Sequence, residues 1–380
     1  MRILYIAFDD LSRDFAWTVH IREVVTGLAR QGHFVGLVAV AKKKPDWLEG
    51  EWYPLPRPAT RAGRILHHLV GSVGDLRRAA HGFRPDVIYY RGIHLAPSPL
   101  LVAKSMGVPL VVEVNGWLES ETPARLRWAV KWTHELFLSE AAHTVTVSDR
   151  LKKGLCERYG ADPNKVSVVP NGATPRETPP PTPGEARKKL GLPERPTLVY
   201  VGSFYPHHAL DLLPEVMDRL PGFQVVLAGD GTTRHEIEKR LDPGRARFLG
   251  SVPHEDIPGI LAAGDIGLYF LRKPHEHFGF SPIKLYEYMA AGLPVVAGTD
   301  LPEIGGFVRE HDIGLSTRLS AEEFAAEVES LWRDEPARRE MGRKGMKKIR
   351  EEFSWAHTAK SVGDILHRHA LSGAPTPRVS

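Results

Sequence analysis

The chain has 380 residues and lacks several features that define large classes of protein. Its single cysteine, Cys156, excludes an internal disulfide framework and is typical of a reducing compartment. No apolar run approaches the roughly 20 residues that a membrane-spanning helix needs. The first residues, Met1 to Ala7, enter a strand pattern directly, without the pattern of a secretory signal. We therefore expect a cytoplasmic protein, or one attached to the inner face of a membrane.

Three motifs of phosphate and metal chemistry are also absent from the sequence. No Gly-x-Gly-x-x-Gly follows the first strand pattern, which argues against a dinucleotide-dependent enzyme that transfers hydride. No Gly-x4-Gly-Lys-Ser/Thr occurs, which excludes a phosphate-loop NTPase of the usual type. No Asp-x-Asp pair occurs to hold a divalent ion against a diphosphate. The short pairs His207/His208 and His275/His277 have no further ligands at metal-site spacing, so we expect neither a metal nor a bound cofactor.

The composition that remains is that of a globular protein, with 42% apolar and 25% charged residues, and the length predicts two domains. The charge is uneven. Residues 1–175 carry 23 Lys and Arg against 17 Asp and Glu, a net charge of +6, whereas the remainder carries 27 against 29. A basic first half indicates an acidic partner, such as a phospholipid surface, a lipid phosphate or an anionic glycan. Because no recognition motif accompanies the charge, we expect no nucleic-acid partner.

Two basic segments of the first half also carry apolar residues at helical spacing. Residues 57–91 hold seven arginines against two acids, and residues 125–134 place Trp128 and Trp132 one turn apart beside Arg127 and Lys131. Such helices can lie on an anionic membrane surface. The alternative is a helix that faces the core and exposes a solvated basic side. Both interpretations stay open at this point.

Strand and helix patterns alternate along the whole chain, which predicts an α/β protein with parallel sheets covered by helices on both faces. Between residues 174 and 186, prolines cluster at 175, 179, 180, 181 and 183, which predicts a semi-rigid extended linker. We therefore place a first domain at residues 1–173 and a second at 187–354. The residues 372–380 have the composition of a disordered tail.

The segment around residues 278–297 predicts an anion site at the start of a helix. Ser281 is suited to the N-cap and Pro282 to the first helical position. The backbone N–H groups of Ile283 and Lys284 then precede the first helical hydrogen bond, and Lys284 adds its charge, so a diphosphate would fit there. Glu287 lies one turn further on, where a carboxylate can accept two ribose hydroxyls. The alternative is a simple Lys–Glu surface pair.

The sequence Phe-Gly-Phe-Ser-Pro-Ile-Lys-Leu-Tyr-Glu at residues 278–287 resembles the donor-nucleotide motif of the retaining glycosyltransferases of family 4. The resemblance implies the GT-B fold, in which two Rossmann-like domains with parallel sheets face each other across a cleft. It also implies that Glu287 binds the nucleotide ribose and that the loop through Phe280 holds the diphosphate. Gly279 stands where the family often has a second glutamate. The resemblance further implies that a last helix, about 355–371, returns to the first domain.

The resemblance extends to the start of the second domain, with changes. Relatives usually show Gly-Arg and then Lys-Gly, a basic pair that grips the diphosphate. Here Gly202 is followed by Ser203 in the place of the arginine, and His208 stands in the place of the lysine. Lys284 is therefore expected to carry more of the electrostatic interaction, helped by Arg272. Gly231 and Val252 fall in segments that line the nucleotide site of relatives.

Four residues of the first half are candidates for the acceptor side. Arg91, Glu113 and Asn115 come at the carboxyl ends of predicted strands, where open α/β sheets bind ligands. Many relatives place a histidine near Asn115. His20 opens the first helix and could contact substrate or be a solvated helix residue. Capping of loops is the alternative for the other three.

The resemblance therefore implies a retaining glycosyltransferase that moves a hexosyl or amino-hexosyl unit from a nucleoside-diphosphate sugar to an acceptor hydroxyl of a glycan or lipid-linked acceptor, without a metal. Lys284 and Glu287 are the expected catalytic residues: the first stabilises the departing diphosphate and the second positions the nucleotide. Two alternatives remain, a GT-B epimerase of nucleotide sugars and a non-catalytic partner of an active transferase, the second because of Ser203 and His208.

Overall fold

The structure is a computed structural model that describes residues 1–12, 15–60, 63, 66–116, 122, 124–176, 181–272 and 281–372. Strands and helices alternate through these residues. The strands are β1 (Arg2–Asp10), β2 (Phe34–Val40), β3 (Glu51–Pro54), β4 (Val87–Arg91), β5 (Leu110–Val114), β6 (His143–Thr146), β7 (Val166–Val168), β8 (Thr197–Val201), β9 (Gln224–Ala228), β10 (Ala246–Gly250), β11 (Ile266–Leu271), β12 (Val295–Thr299) and β13 (Gly314–Thr317). The α-helices are α1 (Ala16–Arg30), α2 (Ser72–Phe83), α3 (Ser98–Met106), α4 (Arg127–Glu140), α5 (Asp149–Tyr159), α6 (Pro183–Lys189), α7 (Leu213–Arg219), α8 (Arg234–Arg240), α9 (Ile257–Leu261), α10 (Ile283–Ala290), α11 (Pro302–Glu310), α12 (Ala321–Arg333), α13 (Glu335–Glu351) and α14 (Trp355–Ser372).

The strands form two sheets whose neighbours all pair in parallel. The first sheet has the order β3-β2-β1-β4-β5-β6-β7 and the second has the order β10-β9-β8-β11-β12-β13. In each sheet the strand order changes direction next to the strand that comes first in sequence. The change lies between β1 and β4 in the first sheet and between β8 and β11 in the second. Ligands of such sheets bind beyond the carboxyl ends of the strands at this reversal. The polar residues that follow β4, β5, β8 and β9 therefore lie where a site is expected.

The described residues divide into two compact units. Met1–Asn171, Ser281 and the last helix from Trp355 form the first, and the residues from Gly172 to Arg272 with Pro282–Ser354 form the second. Strands buried on both faces explain the nearly continuous apolar runs, such as the fully buried stretch Ile3–Ala7. In the first unit, α14 packs against α1 so closely that a Cβ on Gly27 would collide with Ala359.

One part of the predicted linker is helical. Helix α6 begins at Pro183, inside the stretch 174–186 that the proline content predicts as extended. Thr182 explains the difference: its Oγ1 accepts a hydrogen bond from the Glu185 N–H, the Glu185 carboxylate accepts one from the Thr182 N–H, and Pro183 fits the first helical turn. Residues 177–180 and the predicted tail beyond Ser372 lie outside the described residues.

No α-helix among residues 1–12, 15–60, 66–116, 124–176, 181–272 and 281–372 combines the length and the apolar character needed to cross a membrane.

Candidate functional site

Helix α10 opens with two backbone amides that precede its first helical hydrogen bond. The Leu285 N–H donates to the Pro282 carbonyl at 3.0 Å, so the amides of Ile283 and Lys284 come before the helical ladder begins. Together with the positive end of the helix dipole, two such amides can bind an anion. The sequence predicted Pro282 as the first helical residue, one residue before the observed start at Ile283.

Ser281 is not the N-cap of this helix, as the sequence suggested. The N-cap is Pro282, with φ −77° and ψ 109°, and no side chain caps the helix. The Ser281 Oγ instead accepts a hydrogen bond from the Asn171 N–H at 2.9 Å, and the Ser281 carbonyl accepts one from Asn171 Nδ2 at 2.8 Å. The Ser281 hydroxyl therefore bonds to a residue distant in sequence, Asn171, instead of capping the helix. Phe280, expected in the same loop, lies outside the described residues.

Lys284 does not present a simple ammonium charge. Its Nζ donates to the Tyr200 hydroxyl at 2.8 Å and lies 4.4 Å from the centroid of the same ring. The residue is partly exposed, but its ammonium end lies among these groups and His208. Burial lowers the pKa of Lys284 to about 7, against the opposing effect of Glu287. The lysine is therefore poised between its neutral and charged forms at neutral pH.

His208 and Ser203 join the same network. His208 Nε2 lies 3.0 Å from Ser203 Oγ, and His208 Nδ1 lies 3.5 Å from Lys284 Nζ, at the outer limit of a hydrogen bond. Burial, with the charge of Lys284, holds the pKa of His208 far below its usual range, so the ring is neutral. When Lys284 is protonated, its Nζ can only donate to Nδ1, so Nε2 then carries the proton and donates to Ser203. The Tyr200 hydroxyl closes the ring of contacts by donating to the Ser203 carbonyl at 2.8 Å.

Two predicted glycines make this arrangement sterically feasible. Gly202 has φ +144°, and a Cβ there would lie 2.7 Å from Lys284 Nζ. Gly231 has φ +157°, and a Cβ there would collide with the backbone of Phe204. The loops after β8 and β9 are also tied together, since the Phe204 N–H donates to the Asp230 carbonyl at 2.9 Å. Glycine is thus required for the close approach of Lys284 to the first loop.

Glu287 has a partner that the sequence did not predict. His254 Nε2 lies 2.7 Å from Glu287 Oε1, and the side chain of Glu287 is only 13% exposed. His254 begins a 3₁₀ turn after β10, two residues beyond the half-buried Val252. The interpretation of Glu287 as half of a simple Lys–Glu surface pair is therefore wrong. Arg272, expected to help Lys284, instead pairs with Asp211 at 3.1 Å.

The acceptor-side candidates meet in the first unit around Glu113. The carboxylate is buried, and its Oε1 lies 2.7 Å from His20 Nε2 in an ion-pair contact rather than an aligned hydrogen bond. His20 Nδ1 lies 2.8 Å from Asn171 Oδ1, an oxygen that must accept because the Asn171 amide nitrogen donates to Ser281. The interpretation of His20 as a solvated helix residue is wrong, since this side chain is buried. These contacts form a chain from Glu113 through His20 and Asn171 to Ser281.

Charge and burial compete at Glu113 and Arg91. Burial alone raises the pKa of the Glu113 carboxyl, but His20, Arg91 and Asn115 together lower that pKa to about 2. Arg91 is register partner to Glu113 and pairs with Asp9 at 2.7 Å. Burial alone lowers the pKa of Arg91, but Asp9 and Glu113 raise it above its ordinary value. Both groups therefore keep their charges in the folded unit.

Several buried polar atoms beside these charges have no hydrogen-bond partner among the residues that the structure describes. They include Arg91 Nε, Glu113 Oε2 and Asn115 Oδ1, and also the hydroxyls of Tyr5 and Tyr89. Buried polar atoms rarely remain unpaired unless a ligand or water completes them. One donor and two acceptors at the carboxyl ends of β4 and β5 can together bind a polyhydroxylated molecule. Across residues 1–12, 15–60, 66–116, 124–176, 181–272 and 281–372, no group of three or more His, Cys, Asp or Glu side chains could hold a metal ion.

Comparison with known proteins assigns both halves of the chain. Residues 18–177 match the family model of Glycosyltransferase Family 4, and residues 184–348 match that of Glycosyl transferases group 1. A sulfoquinovosyl transferase of Arabidopsis thaliana is 28% identical over 76% of this chain and 58% of its own length. A D-inositol 3-phosphate glycosyltransferase of Nocardia farcinica is 31% identical over 59% of this chain and 52% of its own length. The chain thus spans little more than half the length of these two relatives.

Solved structures of similar fold cover nearly the whole chain. The sucrose-phosphate synthase of Thermosynechococcus elongatus superposes with a TM-score of 0.79 at 17% identity, over 98% of this chain and all of that chain. Anabaena HepE in complex with UDP-glucose superposes with a TM-score of 0.75 at 18% identity, over 97% of this chain and all of that chain. These similarities and the two parallel sheets confirm the predicted GT-B fold of two Rossmann-like domains. The chain therefore belongs to the family 4 type of glycosyltransferases.

Proposed function

We propose that this protein is a retaining glycosyltransferase that moves a hexosyl or amino-hexosyl unit from a nucleoside-diphosphate sugar to a hydroxyl of a glycan or lipid-linked acceptor. The observation that carries the proposal is the grouping on α10 of two amides that precede its first helical hydrogen bond, the Lys284 ammonium and the Glu287 carboxylate. An anion site and a hydroxyl acceptor one turn apart match the diphosphate and the ribose of one nucleotide. The solved complexes of HepE with UDP and with UDP-glucose support a donor of this class.

The reaction requires stabilisation of the leaving nucleoside diphosphate, on which negative charge develops. The amides of Ile283 and Lys284 are oriented by the helix before the ligand arrives, so they interact with this charge without reorganisation. The Lys284 ammonium adds a full charge when it is protonated. Because its pKa is about 7, an adjacent diphosphate favours the protonated form, and donor binding takes up a proton. The sugar is then held next to a site that compensates the departing charge.

Glu287 positions the donor through its ribose. One carboxylate oxygen faces His254, which leaves the other to accept hydrogen bonds from the ribose hydroxyls. Fixing the ribose and the diphosphate together determines where the anomeric carbon lies. We propose a front-face departure, in which the diphosphate itself receives the proton of the acceptor hydroxyl, so that the sugar retains its anomeric configuration. Catalysis then needs no nucleophile from the protein.

We assign the acceptor to the group around Glu113 in the first unit. The unpaired atoms of Arg91, Glu113 and Asn115 offer one donor and two acceptors for sugar hydroxyls. His20 contacts the other oxygen of the same carboxylate, Oε1, and orients it. We therefore interpret His20 as a positioning residue for Glu113 rather than as a substrate ligand.

The experiment that tests the proposal is calorimetric titration of UDP, GDP and ADP, and of their sugar conjugates, into the wild type and Glu287→Ala. We expect at least one nucleotide to bind the wild type, and its Kd to rise on the order of 100-fold in the variant, because charge-assisted hydrogen bonds to two hydroxyls are lost. Glu236→Ala on α8, with an exposed carboxylate in the same unit, is the matched control and should leave the Kd unchanged.

A specific observation favours a second candidate, a non-catalytic partner of an active transferase. Ser203 and the neutral His208 stand where relatives have permanent charges. If none of the nucleotides or nucleotide sugars binds the wild type, the proposal fails and this candidate replaces it. An epimerase is distinguished by incubation with the bound nucleotide sugar alone, because an epimerase converts it without acceptor whereas a transferase does not.

A further inference from the structure

Large apolar side chains are exposed together on one side of the first unit. In the part of the chain that the structure describes, eight large apolar residues are strongly exposed, and five of them lie at or just before the starts of helices α2, α3 and α4. Their exposed fractions range from 47% to 70%, and the residues are Leu66, Val70, Leu101, Trp128 and Trp132. We call these five residues the apolar rim. Single exposed apolar residues are ordinary, but such a concentration marks a contact surface.

The three helices lie side by side on the same face of the first sheet. Leu76 of α2, Leu100 of α3 and Phe137 of α4 belong to one core cluster beneath them. The buried hydroxyls of Ser72 and Ser98, the first residues of α2 and α3, lie 2.7 Å apart. At the opposite end, Lys104 near the end of α3 pairs with Glu140, the last residue of α4, at 2.6 Å. The helices therefore run in the same direction, and their starts lie at the same end.

That end is the carboxyl end of the strands. A helix that links two parallel strands runs antiparallel to them, so its first turn lies where the preceding strand finishes. Arg91, Glu113 and Asn115 lie at the carboxyl ends of β4 and β5. The apolar rim is therefore at the same end of the first unit as the group that we assign to the acceptor. This last step rests on the proposed function, whereas the rim itself does not.

Among the residues that the structure describes, the charge around the rim is mostly positive. At the starts of the three helices, residues 66–78, 98–101 and 127–132 contain four Lys and Arg and a single carboxylate, Asp75. That carboxylate is already paired, with His67 at 2.8 Å and with Arg78. Arg127 and Lys131 flank the two tryptophans, and both side chains are exposed. Glu135, one turn beyond Lys131, pairs with Lys131 at 3.6 Å, and Glu119 and Glu121, which precede α4 in sequence, lie outside the described residues.

We propose that the apolar rim docks on the surface of an anionic lipid bilayer. Tryptophan favours the headgroup region, where its ring is half in hydrocarbon and its N–H is hydrated, and flanking Lys and Arg are attracted to anionic lipids. A second copy of the chain is a poor occupant, because two rims in contact would bring their cations against each other. The membrane is thus the partner whose chemistry matches both the apolar area and the charge. Docking in this way brings the carboxyl ends of β4 and β5 to the lipid surface.

Cosedimentation with vesicles tests the inference. Wild-type protein should bind vesicles of phosphatidylcholine with 30 mol% phosphatidylglycerol, as an added probe, more tightly than vesicles of phosphatidylcholine alone. Trp128→Ser/Trp132→Ser should reduce the partition coefficient at least tenfold. Arg127→Ala/Lys131→Ala should reduce it about fivefold for each cation removed at low ionic strength, and high salt should weaken the wild type similarly.

The controls use exposed residues elsewhere. Lys347→Ala/Arg350→Ala on α13 removes the same charge, and Leu371→Ser at the end of α14 removes an equally exposed apolar group. Both should bind vesicles like the wild type. Absence of wild-type binding to either vesicle, or unchanged binding by the tryptophan variant, overturns the proposal. A dimer in sedimentation velocity that Trp128→Ser/Trp132→Ser dissolves would also overturn it and assign the rim to a second copy.

The assay contains no nucleotide, so its outcome is independent of the proposed reaction. Calorimetric titration of the same variants with the nucleotide that binds the wild type should give an unchanged Kd. Vesicle binding without nucleotide binding would support membrane docking by the apolar rim and reject the proposed transferase function. Nucleotide binding without vesicle binding would support the transferase function and reject membrane docking.

Discussion

His254 faces one oxygen of the Glu287 carboxylate at 2.7 Å, and this contact fixes the direction in which the carboxylate points. A glutamate side chain without such a partner samples several rotamers, and ordering it upon binding costs free energy. The histidine comes from the 3₁₀ turn after β10, a different element from the helix that carries Glu287. We interpret His254 as a positioning residue for the ribose site.

Substitution of His254 should therefore weaken nucleotide binding without unfolding the protein. His254→Ala removes a hydrogen bond to a charged group, so we expect the Kd of the nucleotide to rise about tenfold. His254→Gln keeps an N–H donor and should recover part of the loss. Calorimetric titration measures the Kd, and thermal unfolding of each variant should give a melting temperature close to that of the wild type.

His235→Ala on α8 is the control, because it removes an exposed histidine of the same unit. If His254→Ala binds the nucleotide like this control, the positioning role is wrong. If both His254 variants lose equal affinity, the loss reflects the local backbone rather than the contact with Glu287.

The residues of the donor site differ in how far the sequence could predict them. Spacing along one helix placed Lys284 and Glu287, because both lie on the first turns after a recognisable helix start. Their partners Tyr200 and His254 lie 84 and 33 residues away, and no local pattern links such positions. The environment also decided the state of Lys284: burial beside Tyr200 lowers a pKa that the sequence alone would leave at its ordinary value. Contacts distant in sequence are thus the part that reasoning from motifs missed.

At the scale of elements, the loops after β8 and β9 leave room for the Lys284 ammonium group to approach the backbone. Gly202 donates its N–H to the Ala228 carbonyl at 2.9 Å, and Gly229 donates its N–H to the Gly250 carbonyl at 2.7 Å. These bonds hold three successive loops at the carboxyl end of the second sheet. A side chain in the first loop would displace the lysine.

Gly202→Ala should consequently reduce both stability and nucleotide affinity. Alanine at φ +144° is strained by about 1–3 kcal/mol, and its Cβ would lie 2.7 Å from Lys284 Nζ. Thermal unfolding and calorimetric titration measure the two effects. The matched control is Gly191→Ala, at φ +67°, where a Cβ meets no atom within 4 Å. The control should lose stability only; an equal loss of affinity in both variants would show that strain, not the contact with Lys284, is the cause.

Local patterns were most reliable for regular elements. The predicted alternation of strands and helices is confirmed along the described residues, because apolar spacing reflects burial directly. Local patterns were weaker where two rules compete. Prolines predicted extension at residues 183–186, but a capping box at Thr182 starts a helix there. Ser281 was suited to a cap, but Asn171 bonds to it instead.

At the scale of the whole molecule, the buried charges of the first unit make its stability sensitive to acid. The pKa of Glu113 is about 2 in the folded unit, against an ordinary value of 4.5. Above pH 4.5 the carboxylate is ionised in both states and its stabilising effect is complete. As the pH falls from 4.5 towards 2, the unfolded chain binds the proton first, so this stabilisation is lost.

Glu113→Gln should remove this part of the pH dependence. Urea unfolding of the wild type should lose roughly 3 kcal/mol between pH 5 and pH 2 through this group, a loss that the variant should not show. The variant should be less stable at pH 7, because Arg91 loses a buried counter-charge and His20 loses its carboxylate partner. Glu135→Gln, with an exposed carboxylate on α4, should follow the wild type. If the free energies of unfolding of the wild type and of Glu113→Gln fall in parallel between pH 5 and pH 2, Glu113 does not cause the loss of stability in acid.

The last helix has a consequence for synthesis. Val362, Ile365 and Leu366 of α14 complete an apolar cluster with Ile3, Tyr5 and Leu28 from the opposite end of the chain. A ribosome translating this chain releases the first sheet long before it makes the helix that covers one face of it. Until then that face is open to water, chaperones and other nascent chains, whereas the second unit can already fold behind it. The domain translated first is thus the one that is finished last.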